Sequence, residues 1–584
     1  MVWGVLLLCL LGLAANLLRL QVVLAPELQE RAREQQTFVL NPTPPRRPIV
    51  DRLGNAIAVD RPVYTLYAHP KLFKQASGAI AQTLAPVINR PAGELEQLFG
   101  TGESGLEVVY TLPEDVAKRV QNLGLDGLEL IERQQRLYPQ KMLFGDVVGF
   151  VNGERLGQAG IEMSQEEQLQ TEAHSLNLRR TGLGSILPDG TAENFPTTDD
   201  LQLRLTLDSR LQRSVRQALQ TTIKAHGAKR GAVLVMDVRD GALVSVVTEP
   251  TYDPNQFFEA DPALHQNWAV SDLYEPGSTF KPINVAIALE SGAVQPNQVF
   301  QDDGQIYIGE WTIQNSDYEY SGAPGARTLT EIVQYSSNVG MVRVMQQLSA
   351  QDYFSWLEKI GLGEKTDIDL PSETASNLKP EEEFLSDPVE AATTAFGQGF
   401  ALTPVQMIQL QSSLANGGML TTPHVVDGLY NPDGQRQWQP DLPAPRRLFS
   451  AQTTQQVLTM MEAVVDDGTG TAAQIPGYRV AGKTGTAQKA SEFGGYLSGA
   501  RITSFLSFFP ADAPRYSILV LIDEPQGDNA YGGTVAAPLA KTVMESMITI
   551  LGIPPGRPEE VRGDRFSPAT PDPDEYSDET PEAW

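Results

Sequence analysis

The chain has 584 residues, 72 of them acidic and 44 basic, for a formal net charge of −28. That balance argues against a phosphate-tracking nucleic-acid binder, because there is no cationic excess to displace counterions, and against attachment to anionic lipid through basic patches. A single cysteine, Cys9, rules out an intramolecular disulfide framework, an iron–sulfur cluster and cysteine-based structural zinc, and five scattered histidines form no H-E-x-x-H pair.

In the opening segment from Met1 to Leu24, residues Met1 to Leu18 carry no charge, and Asn16 is the only strongly polar one among them. About 20 apolar residues at 1.5 Å each span a hydrocarbon core of ~30 Å. The run lacks a basic n-region and a small-x-small cleavage site, so it reads as an uncleaved single-pass anchor rather than a signal peptide. Cys9 follows Leu6-Leu7-Leu8, not the small residues of a lipoprotein signal, and belongs to the anchor with no chemical role. No lysine or arginine precedes the run, so the charge rule for membrane orientation gives no direction.

Residues 25–200 mix short strand-like and helical patches with proline punctuation. Asn41-Pro-Thr-Pro-Pro45 reads as a stiff, extended connector. It leads into Arg46–Ala58, which reads as strand, turn at Gly54-Asn55, strand. Residues 201–555 are patterned more strongly. Leu203 to Leu207 alternates as a strand does. Asp208 is a good helix N-cap, with Leu211, Val215, Leu219 and Ile223 recurring at four-residue spacing after it. Gly231–Val247 reads as a hairpin closed by Arg239-Asp240-Gly241. Helices are predicted near 278–292, 328–349 and 403–416, a buried strand over Tyr516–Asp523, and a last amphipathic helix over Ala536–Ile550. Strand pairs bracketing a helical block predict an α/β (α+β) domain whose sheet is built from both ends of the segment. Residues 556–584 form an acidic, proline-rich tail. From 566 on it holds six acidic residues and no basic one, and it reads as disordered.

Three short elements carry the chemistry. In Glu275-Pro-Gly-Ser-Thr-Phe-Lys-Pro282, Pro276-Gly277 breaks the chain and places Ser278 in a first helical turn. Residues i and i+3 share a helix face, so Lys281 can reach the Ser278 hydroxyl, and a serine near a helix N-terminus has backbone N–H groups close by. The competing reading makes Ser278 only a helix cap. The second element, Ser336-Ser337-Asn338, lies between two helical stretches and can hold a proton relay and a substrate amide, or be an ordinary linking turn. The third is Lys483-Thr484-Gly485-Thr486. There Lys483 offers a cation for a carboxylate, and Gly485 on a strand edge permits close approach of substrate backbone; the competing reading is a turn. The elements start 58 and 147 residues apart, and their joint occurrence in this order is far more specific than any one alone.

S-x-x-K, S-x-N and K-T-G in this order resemble the set shared by penicillin-binding proteins and class A β-lactamases. The chain resembles the class B penicillin-binding proteins, monofunctional peptidoglycan D,D-transpeptidases, and most of all their FtsI-type septal branch. Arg46–Ala58 is similar to the family's R-G-x-I-x-D-R-x-G-x-x-L-A pedestal motif, with Arg47 where glycine is preferred. The resemblance continues through Leu205-Thr-Leu-Asp208 with Gln212, Tyr252-Asp-Pro-Asn255, Gly397-Gln-Gly399 with Thr403-Pro404, and Ala415-Asn-Gly-Gly418. It ends with Gly468-Thr-Gly470, Asp523-Glu-Pro525 and Tyr531-Gly-Gly-Thr534. The family's Gly-rich stretch is degenerate around Leu178–Gly190, and no E-D-x-x-F glycosyltransferase signature occurs in the first 200 residues.

The resemblance implies an anchor (1–24), a pedestal of the penicillin-binding-protein dimerisation type (25–200), a transpeptidase domain (201–555) and a tail (556–584). It implies that Ser278 attacks a D-Ala-D-Ala stem peptide, with Lys281 as base. Ser336 relays the proton, Asn338 binds the substrate amide, and Lys483 with Thr484 and Thr486 binds the carboxylate. Backbone N–H groups of Ser278 and Thr486 form the oxyanion hole. A lysine working as a base at neutral pH must fall about three units, roughly 4 kcal/mol, and both burial and a second cation, Lys483, act in that direction. No metal or organic cofactor is implied. Expected partners are peptidoglycan stem peptides, β-lactams as inhibitors, a membrane glycosyltransferase and other division proteins. The expected location is the bacterial inner membrane, with the catalytic domain outside the cytoplasm. Alternatives are an elongation-type class B transpeptidase, a β-lactam-sensing receptor or β-lactamase-like hydrolase, and a non-catalytic scaffold of the division machinery.

Overall fold

The computed structural model describes residues 2–40, 44–171, 176–180, 186–187, 199–490 and 495–563. The predicted tail beyond Gly563, the start of the proline connector and most of Leu178–Gly190 lie outside them. Two compact units form: Met1–Pro48 with Val59–Leu137 and Glu167–Leu201, and Ile49–Ala58 with Tyr138–Glu166 and Gln202–Trp584.

The smaller unit opens with α1 (Val2–Leu18), which continues through a π-helical turn to Val23. These 22 residues have a mean hydropathy of 2.0 and are exposed throughout, so they are a candidate membrane span. Further on, β1 (Ala56–Ala68) is followed by α2 (Ser77–Ile88), α3 (Ala92–Phe99), β2 (Leu106–Pro113), α4 (Glu114–Asn122) and β3 (Leu128–Leu137). From Val59 onward β1 pairs antiparallel with both β2 and β3. Leu66, Ile80, Leu84, Leu95, Phe99, Leu112 and Val120 fill the core beneath them. A buried ion pair, Arg136–Asp60 at 3.1 Å, is tied in by the Arg46 N–H donating to Asp60 at 2.8 Å. Where the family motif prefers glycine, Arg47 donates to the Gln168 carbonyl and pairs with Asp199, whose carboxyl it holds below its ordinary value. The arginine is therefore accommodated by partners of its own.

In the larger unit the predicted strand–turn–strand is present. Ile49–Val50 pairs with Ala56–Ala58 across a turn with Gly54 at φ +86°. The Asp51 carboxylate accepts from the N–H groups of Leu53, Asn55 and Ser209 and holds this turn against the start of the next helix. Strand Gln202–Leu205 delivers Leu203, Leu205 and Leu207 to full burial, as their alternation predicts. Asp208 then caps α5 (Ser209–His226) by accepting from Arg210 N–H at 3.0 Å. Leu211, Val215 and Leu219 are buried in sequence order along its inner face.

The predicted hairpin forms β4 (Arg230–Asp237) and β5 (Leu243–Glu249). A helical block follows, with α6 (Lys281–Glu290), α7 (Asn338–Met345), α8 (Pro404–Ala415) and α9 (Ala451–Asp467). The chain then returns as β6 (Ala481–Ala490), β7 (Tyr496–Phe509), β8 (Tyr516–Asp523) and α10 (Ala537–Leu551). The sheet order is β5-β4-β8-β7-β6, every pair antiparallel, so both ends of the segment do build it. α5 and α10 cover one face through Leu211, Val215, Val543 and Met547. α8 covers the other, where Ser412 Oγ lies 2.6 Å from Ser517 Oγ on β8. With helices on both faces, β8 is buried along its whole length, which explains its apolar run from Ile518 to Ile522.

Two predicted elements differ. The helix expected over 328–349 is broken into Leu329–Gln334 and α7, because Ser336 adopts φ +60° and Ser337 starts a new helix as its cap. Ser278 sits not in an α-helical turn but in a 3₁₀ turn, Gly277–Phe280, just before α6.

Gln212 on α5 works across elements. Its Oε1 accepts from Val246 N–H at 3.0 Å and from Ser245 Oγ at 2.8 Å, and its Nε2 donates to the Val246 carbonyl. The amide thus stands in for a neighbouring strand at the β5 edge. Gln212→Leu, leaving buried β5 groups without partners, is expected to destabilise by about 2 kcal/mol or more; chemical denaturation of the variant against the parent would read this, and an unchanged midpoint would refute it.

Candidate active site

The three predicted elements converge in the larger unit. The 3₁₀ turn Gly277–Phe280 carries half-buried Ser278. In such a turn residues i and i+3 eclipse, which puts Lys281, the first residue of α6, on the side of Ser278. The cap positions of the turn and the helix are Pro276 and Phe280, so Ser278 is not merely a cap. Two glycines make the turn possible. Gly277 has φ +55° and donates its N–H to Gly397 O at 2.8 Å, and a Cβ on Gly397 would lie 2.0 Å from Gly277 O. This gives a packing reason for the Gly397-Gln-Gly399 motif.

Lys281 and Lys483 are both 0% exposed. Lys281 Nζ donates to Ser336 O at 2.6 Å, to Asn338 Oδ1 at 2.8 Å and to Ser336 Oγ at 3.3 Å. Lys483 Nζ reaches the same Ser336 Oγ at 2.9 Å and the Thr484 carbonyl at 3.0 Å. One hydroxyl is therefore shared by two buried amines. A hydroxyl has one proton to give and two lone pairs to receive, so it can donate to a neutral amine while accepting from a charged one. Burial pushes the Lys281 amine well below its ordinary value, the charge of Lys483 adds to that, and Asp302 opposes it. Burial alone lowers Lys483 to about 7.

β6 is the edge strand carrying Lys483, Thr484, Gly485 and Thr486. A Cβ on Gly485 would lie 2.3 Å from Ser504 Oγ and 2.9 Å from Thr279 Cγ2. The glycine thus lets the strand press against the Ser278 turn, a packing role beside the substrate access expected from sequence. Thr484 Oγ1 meets Thr469 Oγ1 at 2.6 Å, and Thr486 Oγ1 accepts from Gly532 N–H at 3.0 Å. These contacts brace β6 with the Gly468-Thr-Gly470 and Tyr531-Gly-Gly-Thr534 segments. Thr486 is exposed, while Thr484 is buried.

Sequence reasoning missed the support behind Ser336-Ser337-Asn338, namely Asp302 and Asn315. Asp302 is 0% exposed and accepts from Ser337 Oγ at 2.6 Å and from Asn315 Nδ2 at 2.9 Å. The only local signal was an Asp-Asp-Gly turn, which is indistinguishable from a surface turn in sequence. It also missed Glu275, which accepts from Gly399 N–H and Tyr496 Oη at 3.1 Å each and is pushed upward by burial. Among the described residues no three His, Cys, Asp or Glu side chains converge as a metal site requires.

Residues 231–545 match the penicillin binding protein transpeptidase domain, and residues 41–203 match the penicillin-binding protein dimerisation domain. The chain is 39% identical over 564 residues to a peptidoglycan D,D-transpeptidase FtsI homolog of Mesostigma viride, covering 94% of each chain. It is 32% identical over 542 residues to stage V sporulation protein D of Bacillus subtilis, covering 92% of this chain and 83% of that one. Its structure is similar to penicillin binding protein 3 of Mycobacterium tuberculosis complexed with aztreonam, with a TM-score of 0.67, 26% identity, and 89% and 99% of the two chains covered. The chain belongs to the penicillin-binding protein transpeptidases, in their class B, FtsI-type branch.

A lysine that titrates near 7 when folded and near 10.4 when unfolded leaves the unfolded chain holding more protons between those values. Stability therefore rises with pH across that window, by about 1.4 kcal/mol per unit for one group. Lys483→Met removes this slope. Between pH 7.5 and 9.5 the parent is expected to gain stability relative to the variant, read by denaturant unfolding at each pH; a constant difference would contradict the burial of Lys483 as an amine near 7.

Proposed function

We propose that this chain cross-links peptidoglycan stem peptides through an acyl-enzyme on Ser278, in septal wall synthesis. The observation that carries the reading is the convergence of Lys281 and Lys483 on Ser336 Oγ beside the turn that presents Ser278. A free serine hydroxyl is a weak nucleophile and needs a base. Lys281, neutral through burial and through Lys483, takes the Ser278 proton as Oγ attacks the carbonyl carbon of the D-Ala-D-Ala bond. Backbone N–H groups of Ser278 and Thr486 hold the oxyanion. The C–N bond breaks as the leaving amine receives a proton through Ser336 Oγ, and D-Ala departs. The amine of a second stem peptide then attacks the ester and returns the proton to Ser278.

Asn338 orients the substrate amide, and Lys483 with Thr484, Gly485 and Thr486 receives the terminal carboxylate. An amine near 7 is well suited to this, because an arriving carboxylate favours its charged form. β-Lactams mimic the D-Ala-D-Ala end and acylate Ser278; the similar structure complexed with aztreonam supports this.

The reading extends to organisation and place. Residues 1–24 anchor the chain in the bacterial inner membrane, 25–200 form the pedestal, 201–555 the catalytic domain outside the cytoplasm, and 556–584 an acidic tail. A membrane glycosyltransferase and other division proteins are the partners that fit a monofunctional cross-linking enzyme. The FtsI homolog at 39% identity supports the septal role over the elongation role.

A fluorescent penicillin mixed with the detergent-solubilised full chain tests the chemistry. Stable covalent label is expected on the parent and none on Ser278→Ala. Label that turns over within minutes would make the chain a hydrolase, and no label would favour the scaffold.

A further inference from the structure

Ser336 and Asn338, the two residues that meet the lysines, are set by a buried side-chain network that the roles above leave unused. Strand Val299–Asp302 ends in Asp302, whose Oδ1 accepts from Gly304 N–H and Asn315 Nδ2 at 2.9 Å each. Its Oδ2 accepts from Ser337 Oγ at 2.6 Å, and Arg327 Nη1 stands 3.7 Å away. Asn315 turns its own oxygen to the start of α7, accepting from Asn338 N–H at 2.8 Å and Val339 N–H at 3.0 Å. Ser337 Oγ accepts from Gly340 N–H at 2.8 Å. Three N–H groups of the first turn of α7 are thus held by one network, which is 0% exposed at Asp302, 1% at Ser337 and 6% at Asn315.

This network fixes geometry that the chain would not adopt unaided. Ser336 is a non-glycine residue at φ +60°, a strained conformation that persists only where its surroundings over-determine it. It is flanked by the network on one side and by the two amines on the other. Asn338 Nδ2 is pinned to Gln314 O at 3.0 Å, the carbonyl just before Asn315, which leaves its Oδ1 aimed at Lys281.

We propose that Asp302 and Asn315 are positioning residues for acylation, holding Ser336 and Asn338 where both lysine amines converge on Ser336 Oγ. The inference rests on the transpeptidase reading of the site. Asp302 also acts through its charge. The charged groups set against Lys281 are Lys483 on β6, which drives its proton off, and Asp302, itself facing Arg327, which retains it. A carboxylate at this place therefore holds the base between two opposing charges.

The test follows acylation by fluorescent penicillin across pH in the full solubilised chain, with thermal melting alongside. Asn315→Ala is expected to lower the limiting acylation rate roughly tenfold or more, as a misplaced catalytic group does, with the acid limb of the pH profile unmoved. Asp302→Asn keeps the shape and removes the charge. It is expected to lower the rate and to shift the acid limb to lower pH, which loss of packing alone would not do. Wild-type rates in both variants, or an unmoved limb in folded Asp302→Asn, would overturn the proposal. If Asp302→Asn does not melt cooperatively, Ser337→Ala decides: it removes only the hydroxyl between Asp302 and Gly340, a fall in rate of several-fold is expected, and a wild-type rate overturns the proposal. An unlabelled parent would instead overturn the transpeptidase reading itself.

Discussion

The structure of the catalytic unit depends on burying two lysine amines around one serine hydroxyl. Taking an ammonium out of water is costly, and two of them repel, so the site is arranged to make the uncharged form the easier one. Lys281 has three oxygens within reach and Lys483 has two, so neither nitrogen lacks a partner whichever holds the proton. The arrangement sacrifices stability to hold both amines below their ordinary range, the usual cost of a functional site.

The fold serves that constraint by bringing distant segments together. Lys281 starts a helix in the central block, Ser336 ends a break between two helices, and Lys483 rides on the edge strand of a sheet that the chain completes only near its end. The edge position of β6 leaves one side of the strand without a sheet neighbour, and the Ser278 turn packs against the strand where Gly485 faces Thr279 and Gly277 faces Ala487. Close approach is secured by glycine at Gly277, Gly397, Gly485 and Gly532, where an added Cβ would fall within 3.1 Å of a neighbour. A tight backbone contact and a buried charge both demand rigidity, and the same elements provide it.

The family assignment gives these contacts their meaning. The chain is a D,D-transpeptidase of the FtsI type, and the motif residues shared with that family are here seen to be mutual supports. Thr469 meets Thr484, Gly532 meets Thr486, and Gln212 closes the outer edge of the sheet at β5. Several motif positions outside these three elements are thus structural braces for the Ser278 turn and the edge strand.

Local rules made much of this legible. The Asp208 cap, the four-residue spacing of α5, the Asp-Gly hairpin and the apolar run of β8 each depend on neighbours in sequence, and each appears where predicted. The three motifs singled out residues far apart in sequence, and the structure brings Lys281, Ser336, Asn338 and Lys483 into contact. The left-handed backbone of Ser336 was not legible, since no local rule favours it for serine; it is held by two lysines on Ser336 itself and by Asp302 and Asn315 on the two residues after it. Nor was the support of Asn338, because Asn315 lies 23 residues away, just after the paired strands Gln305–Ile308 and Trp311–Gln314. The sequence by itself determined which side chains can do the chemistry, since nucleophile, base and cation are properties of residue types. Only the tertiary structure decided their protonation and aim, because desolvation and hydrogen-bond direction arise when segments far apart in the chain exclude water from the same few ångströms.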